Sequence, residues 1–462
     1  MTSHRLRVSL CTPLFLFIAA DAFAEEETDY EAPSQFEKAF YDEGKLNLNT
    51  SLYIRHRAVK DPATGKYGLG PAGIQNQTGN VAISYISGYY QDVIGFDFWG
   101  NANIKLGHTV GQSEILYYDY DCGEPGKFSP CEKSYMSVSV AALKLNLGDA
   151  GTNFKLAAGY TPINSGTVKS SWGLNPHAFR GFDSALTLDK LRLTYAWADR
   201  FKPMTTAWHQ NNAAGLDDNG KTIKAGAIID YIHTVGAVYN FGNTVLDVGY
   251  GEGKGYRRNW QAQVERHDTL TKDVSLQSKL FYQGARYIEE LSKIKDPATE
   301  YYVGVGFNLS HDNTVWSLGY SQNYAPNTGD YNFRLTPWAN SDKRDYQPTL
   351  SQLEDFNVSG ARAVRFGVSY NFADLNLPEL TLGGAGTYGW HVVSDVSKTG
   401  SARKYDGNMV SFDLSARYLV ADGMAKGLSF TLLPALFRAT DSNYKTDRND
   451  VKFIVGYSIN IF

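Results

Sequence analysis

The sequence predicts an all-β protein, a transmembrane antiparallel β-barrel. Three observations carry that prediction. Apolar and polar residues alternate with period two in about seventeen segments, so each strand has one apolar and one polar face. Aromatic residues make up 14% of the chain and glycine supplies 44 of its 462 residues, a balance that favours strands and turns. The connections between segments alternate short and long, with tight turns at one rim and long loops at the other.

The elements follow in chain order. Residues 1–24 read as a secretory signal: His4, Arg5 and Arg7 give a positive start, "LFLFIAA" an apolar centre, and Ala22-Phe23-Ala24 a cleavage pattern. The apolar run is too short to anchor in a bilayer, and Cys11 lies within it. Residues 25–462 read as one barrel domain, because no linker or composition break divides them and only about twenty residues precede Lys45. After residue 24 no stretch of about 18 apolar residues occurs. Mean hydropathy is −0.34, so only the alternation points to a membrane.

In "KLNLNTSLYIRHR" (45–57) Leu46, Leu48, Leu52 and Ile54 share one face, while Asn47, Asn49, Arg55 and Arg57 share the other. In "VIGFDFWGNANIKL" (93–106) Phe96, Phe98 and Ile104 oppose Asp97, Asn101 and Lys105. The same division holds in "EYYVGVGFNLS" (300–310), "AVRFGVSYNF" (363–372) and "NMVSFDLSARYL" (408–419). The closing "VKFIVGYSINIF" (451–462) puts Val451, Phe453, Val455, Tyr457, Ile459 and Ile461 on one face, with the terminal Phe462 on the other parity. This strand must pair with the first, near Leu46–Ile54, to close the barrel. A soluble sandwich also alternates. Aromatic apolar faces and unequal loop lengths decide for the membrane. An even strand count makes the total 16 or 18.

Short turns fall at 90–93, 147–153, 240–244, 310–314, 371–379 and 420–427. Long connections fall at 107–133, 161–183, 201–226, 325–360 and 392–407. Cys122 and Cys131 lie in one such loop, "DYDCGEPGKFSPCEK", and predict a disulfide in an exported protein. No ligand set for zinc surrounds them, and no metal or other cofactor is expected. The net charge of −4 argues against nucleic-acid binding.

Charge on the lipid face costs about 2–4 kcal/mol at mid-bilayer, so alternation assigns the lumen. Arg55, Arg57, Lys105, Arg192, Arg365 and Arg417 should point inward, as should Asp97, Asp247, Glu265 and Asp413. Such charges either select solutes or pair and fill the lumen. The stretch 161–183 carries Lys169, Trp172, His177, Phe179 and Arg180; it either folds inward to narrow the pore or stays a surface loop. Tyr53, Trp99, Trp172 and Trp338 offer surfaces on which a sugar could stack, whereas Trp390 shares its parity with lipid-facing residues. "GYGEGKGY" (249–256) matches no phosphate-binding spacing and reads as a strand with a small inward face. No catalytic set is legible; an outer-membrane barrel enzyme is kept as an alternative that would need a nucleophile near one rim.

The chain resembles the OprD-type outer-membrane porins, and within them the chitoporin-like branch. The resemblance rests on "ISGYYQDVIGFDF" (86–98), "PHAFRG" (176–181), "IHTVGAVYNF" (232–241), "RLTPWANSD" (334–342), "GARAVRFGVSYNF" (360–372), "NLPEL" (376–380), "DGMAKG" (422–427) and "NDVKFIV" (449–455). It implies 18 strands and an inward loop containing Phe179-Arg180-Gly181. It also implies a basic track drawn from Arg55, Arg57, Arg180, Arg192 and Arg365, opposed by Asp247 and Asp413. The implied function is passive diffusion of small hydrophilic solutes across a bacterial outer membrane. Chito-oligosaccharides are the first choice of substrate; amino acids or small carboxylates are the second. Expected partners are the solute, the lipid bilayer with its lipopolysaccharide, and the outer-membrane assembly machinery reading the C-terminal strand. The chain is expected to be a monomer or a trimer.

Overall fold

The computed structural model describes residues 34–462 apart from 70–72, 111–114, 120–130, 171–172, 203–208, 211–228, 289–298, 327–332, 334, 336–346, 396–403 and 441–444. The segment 1–24, Cys122, Trp172 and Trp338 therefore lie outside the described residues, as does the side chain of Cys131.

Eighteen antiparallel strands form one closed sheet among the described residues, which excludes the count of 16. The first six are β1 (Lys45–Lys60), β2 (Ile74–Ile86), β3 (Ile94–Lys105), β4 (Tyr135–Gly148), β5 (Thr152–Thr161) and β6 (Ala178–Leu188). The next six are β7 (Leu191–Lys202), β8 (Ile232–Asn240), β9 (Thr244–Gly253), β10 (Arg257–Thr269), β11 (Val274–Tyr287) and β12 (Glu300–His311). The last six are β13 (Thr314–Tyr324), β14 (Arg362–Phe372), β15 (Leu377–Val392), β16 (Gly407–Leu419), β17 (Ser429–Ala439) and β18 (Arg448–Asn460). Each strand pairs with its neighbour in sequence, and β18 returns to β1 with Leu48 opposite Ile459 and Arg57 opposite Asp450. Closure leaves no unpaired edge, as a bilayer without water requires.

The apolar faces turn outward. Val81, Ile83, Leu143, Phe366, Phe412, Leu414, Val451 and Ile459 are all exposed, while their polar neighbours Ser84, Asn101, Ser411 and Asp450 are buried inside. Turn chemistry sets the tight rim. Between β4 and β5, Gly148 takes φ +103°, and Asp149 accepts from the amides of Gly151 (2.9 Å) and Thr152 (3.0 Å). These N–H groups, Thr152 first, hold the Asp149 carboxyl below the usual range.

The odd parity of Phe462 has a local cause. Residues 35–42 form two short helical turns beneath the barrel, capped by Ser34, whose Oγ accepts from Glu37 N (3.1 Å). Tyr41 of this segment stacks on Phe462 at 4.6 Å and 24°. The strand ends at Asn460, and Phe462 sits at the rim between Tyr41 and Tyr85, its carbonyl accepting from Leu46 N (2.8 Å).

Candidate pore lumen

The connection after β5 enters the barrel. Ala178 already belongs to β6, so the inward stretch ends before it, shorter than the 161–183 expected from sequence, and its described residues are 162–170 and 173–177. Asn164–Ser165 and Val168–Lys169 pair as a small hairpin. Its Asn164 N (3.0 Å) and Ser165 Oγ bond Asp183 on β6, and Thr167 N donates to Thr234 Oγ1 on β8 (2.9 Å). Ile163 and Val168 pack with Phe179, Phe201, Ile232 and Leu335.

Glycine makes this seat. A Cβ on Gly236 or Gly249 would stand 2.8 Å from Gly166 backbone atoms, and one on Gly251 would collide with the Thr167 hydroxyl. The small inward face of "GYGEG" is therefore the wall against which the hairpin lies. At its other end the segment reaches β2 and β3. Asn175 Oδ1 accepts from Trp99 Nε1 (3.2 Å) and Asn80 Nδ2 (3.3 Å). The described residues thus touch two walls, Gly166 and Thr167 that of β8–β9 and Asn175 that of β2–β3.

A second segment, 347–361, also lies inside, where sequence reading had only an outer loop. Pro348 covers Gly306 and Gly319, and Thr349 shares a 2.6 Å hydroxyl contact with Ser321. Leu353, Phe356 and Val358 are buried with Val392, Met409 and Phe437. Glu354 holds Arg448 (2.7 Å) and Lys445 (3.1 Å). Three apolar residues spaced through a polar loop were the available signal.

The inward charges come largely in pairs. Arg55 and Arg57 both bind the Asp450 carboxylate, at 2.8 and 2.7 Å; Arg55 and Asp450 are each 1% exposed. Lys144 pairs with Asp97 (2.7 Å), Lys279 with Glu265 (3.0 Å), Arg257 with Glu300 (2.9 Å) and Arg365 with Asp413 (3.8 Å). Asp413 therefore stands beside Arg365 and does not oppose it across the pore. Arg417 shares with them a recess of about 530 Å³ that Gln352 also lines. Arg192 lines a second recess of about 460 Å³ with Lys155, Lys144, Asp97 and Asp183. Asp247 accepts from Gln261 at 3.5 Å. Lys169 in the hairpin has its ammonium pushed below the usual lysine range, first by burial and then by Lys279, with Asp247 opposing. Lys105 sits at the end of β3, its Nζ donating to Glu132 O (3.3 Å).

Two sequence assignments need correction. Arg180 lies in β6 on the parity of Phe182 and Leu186, opposite to Asp183, so it faces outward and pairs with Asp199 (Nε–Oδ1 2.8 Å). A bulge between Arg180 and Gly181 leaves Asp199 as the extra residue beside it. Tyr53 does point inward but is only 5% exposed, so it packs and presents no stacking face. Trp99 is inward and half-buried, tied to Asn175. Trp390 is outward, stacked on Tyr388 at 6.0 Å. Sequence reasoning missed Asp450, Lys144, Lys155 and Lys279, whose polar-face parity is readable, and Glu354 and Asp183, which fall in stretches that read as loops. Among the described residues no group of His, Cys, Asp and Glu could hold a metal.

Residues 38–461 match the family model described as outer membrane porin, OprD family. The chain is similar to the chitoporin of Escherichia coli strain K12, 25% identical over 93% of this chain and 94% of that protein. Among solved structures it is similar to Pseudomonas aeruginosa OpdK with vanillate, with TM-score 0.72 and 17% identity over 91% of this chain and 100% of that one. Pseudomonas aeruginosa OccK9 (OpdG) gives TM-score 0.72 and 18% identity over 92% and 100%.

Proposed function

We propose, for a chain that belongs to the OprD family of outer membrane porins, a passive channel whose preferred cargo is a neutral hydrophilic solute, chito-oligosaccharide first. The chain resides in the bacterial outer membrane. The observation that carries the neutral-solute reading is the pairing of lumen charge: Arg55, Arg57, Lys144, Arg257, Lys279 and Arg365 each have a carboxylate beside them. Paired charge presents hydrogen-bond donors and acceptors without a strong net field. A sugar exchanges its water for the accessible members of these pairs, Asp97, Glu265, Lys279 and Arg365. Several weak contacts in series permit both entry and exit.

The relative named chitoporin supports the sugar class. In planar bilayers, chitohexaose should block single-channel current transiently and reversibly. An absence of block, together with saturating block by a small carboxylate, would replace the sugar with an anion. One observation favours that second reading. Lys155 and Arg192 line the same recess and, among the described residues, neither has a salt-bridge partner, so an amino acid or small carboxylate could bind there. A closed, non-conducting barrel would instead revive the enzyme alternative.

A further inference from the structure

The outer surface carries a pair of arginines that the channel does not use. Arg258 on β10 and Arg286 on β11 are register partners, directly opposite each other across two antiparallel strands. Both have the outward parity of Trp260, Tyr282 and Val264, while Arg257 and Tyr287 beside them are buried inside. Arg286 is exposed and Arg258 half-exposed. Like charges directly opposite on one face destabilise a sheet unless an anion compensates them. Glu252 is the register partner of Arg258 on its other side, and the Tyr250 hydroxyl, donating to Glu252 (3.0 Å), also interacts with Arg258; one carboxylate beside two guanidinium groups leaves the pair net positive. Among the described residues neither arginine forms a salt bridge. Arg180, by contrast, has its own carboxylate in Asp199.

The depth of the pair is set by the row beneath it. Tyr250, Trp260, Gly284, Tyr301 and Tyr324 are successive register partners on β9 to β13. They form an aromatic row on the outer face, with the Trp260 indole lying flat across Gly284. Such rows mark the boundary between hydrocarbon and headgroups. The pair stands two residues beyond it, at the long-loop rim, which faces outside the cell.

From this geometry we propose that Arg258 and Arg286 bind a phosphate of an outer-leaflet glycolipid. Guanidinium forks match phosphate oxygens, and two side by side engage one phosphate from adjacent strands. The acyl chains of the same lipid lie down the outer wall over Trp260, Tyr282 and Leu280.

The full folded barrel, purified in detergent, is titrated with bis-phosphorylated lipid A and read by native mass spectrometry. One lipid should bind tightly, and fully dephosphorylated lipid A should bind at least about tenfold more weakly. Arg258→Gln and Arg286→Gln should each weaken binding by roughly fivefold. Arg286→Lys should weaken it less, and Arg266→Gln at the opposite rim should leave it unchanged. Heat-modifiable migration on gels verifies that each variant is folded. Equal binding of the dephosphorylated lipid overturns the proposal. So does unchanged binding in the folded glutamine variants. Displacement of the lipid by millimolar inorganic phosphate overturns the lipid assignment in favour of a free-anion site.

Discussion

Replacing Gly249 with alanine tests whether the 162–170 segment is seated on the lumen wall. The new Cβ would stand 2.8 Å from Cα and C of Gly166 and 3.1 Å from Thr167 N. These are backbone atoms and cannot rotate away. The closest contact falls about 0.6 Å short of ordinary van der Waals separation, in a region packed at crystal density. Overpacking of this kind costs about 1–3 kcal/mol. The nearest anchor, Thr167 N on Thr234 Oγ1, contributes only about 0.5–1.5 kcal/mol net. The hairpin should therefore yield before the strand does. A strain of that size shifts the ratio of seated to displaced hairpin by about 5- to 150-fold. Single-channel recording should show excess current noise or substates in Gly249→Ala, and more in Gly249→Val. Strand content and heat-modifiability should stay unchanged. Gly386→Ala is the control, because its Cβ would face outward at an ordinary 3.5 Å from Phe412. A quiet Gly249→Val channel with unaltered conductance would refute the seat.

Three further outcomes follow from the same lumen. Asp450→Asn removes the carboxylate shared by Arg55 and Arg57 at the β1–β18 seam, and should cost about 3–5 kcal/mol in urea unfolding and shift reversal potentials toward anions. Phe356→Ala empties a fully buried site under the 347–361 segment; about 3–5 kcal/mol of local packing is lost, and conductance should rise without loss of the barrel. The Lys169 ammonium titrates below the ordinary lysine range, so its charged form is disfavoured in the folded state. Raising pH through the interval between its folded and unfolded values removes that positive charge and adds stability. Anion preference should therefore fall in that interval for the parent and stay flat in Lys169→Gln, as reversal potentials would record.

The wall of the barrel was readable residue by residue. Leu46, Leu48, Leu52 and Ile54 face lipid because a strand alternates and charge is costly in hydrocarbon. The same rule placed Arg55, Arg57, Arg192, Arg365, Arg417, Asp97, Asp247 and Asp413 on the inner face. Arg180 did not come under that rule, because the resemblance puts it in an inward loop that includes residues 178–183. Once β6 starts at Ala178, parity alone turns Arg180 outward. The rule also could not say which charges meet. Arg55 and Asp450 are 395 residues apart in sequence and touch only because the last strand closes on the first.

Sequence by itself determined the strand faces, the closed membrane barrel, the glycine-lined inner wall of β9 and the family. Each is a local property, repeated at period two or carried by short motifs. Tertiary structure alone decided the lumen. It sent 162–170, 173–177 and 347–361 inward, set Gly249 and Gly251 against the first of them, and matched Arg55, Arg57, Lys144, Lys279 and Arg365 with a carboxylate from another strand. The physical reason is closure. Alternation says which side of the sheet a side chain takes, but the registers summed around eighteen strands decide what it faces there.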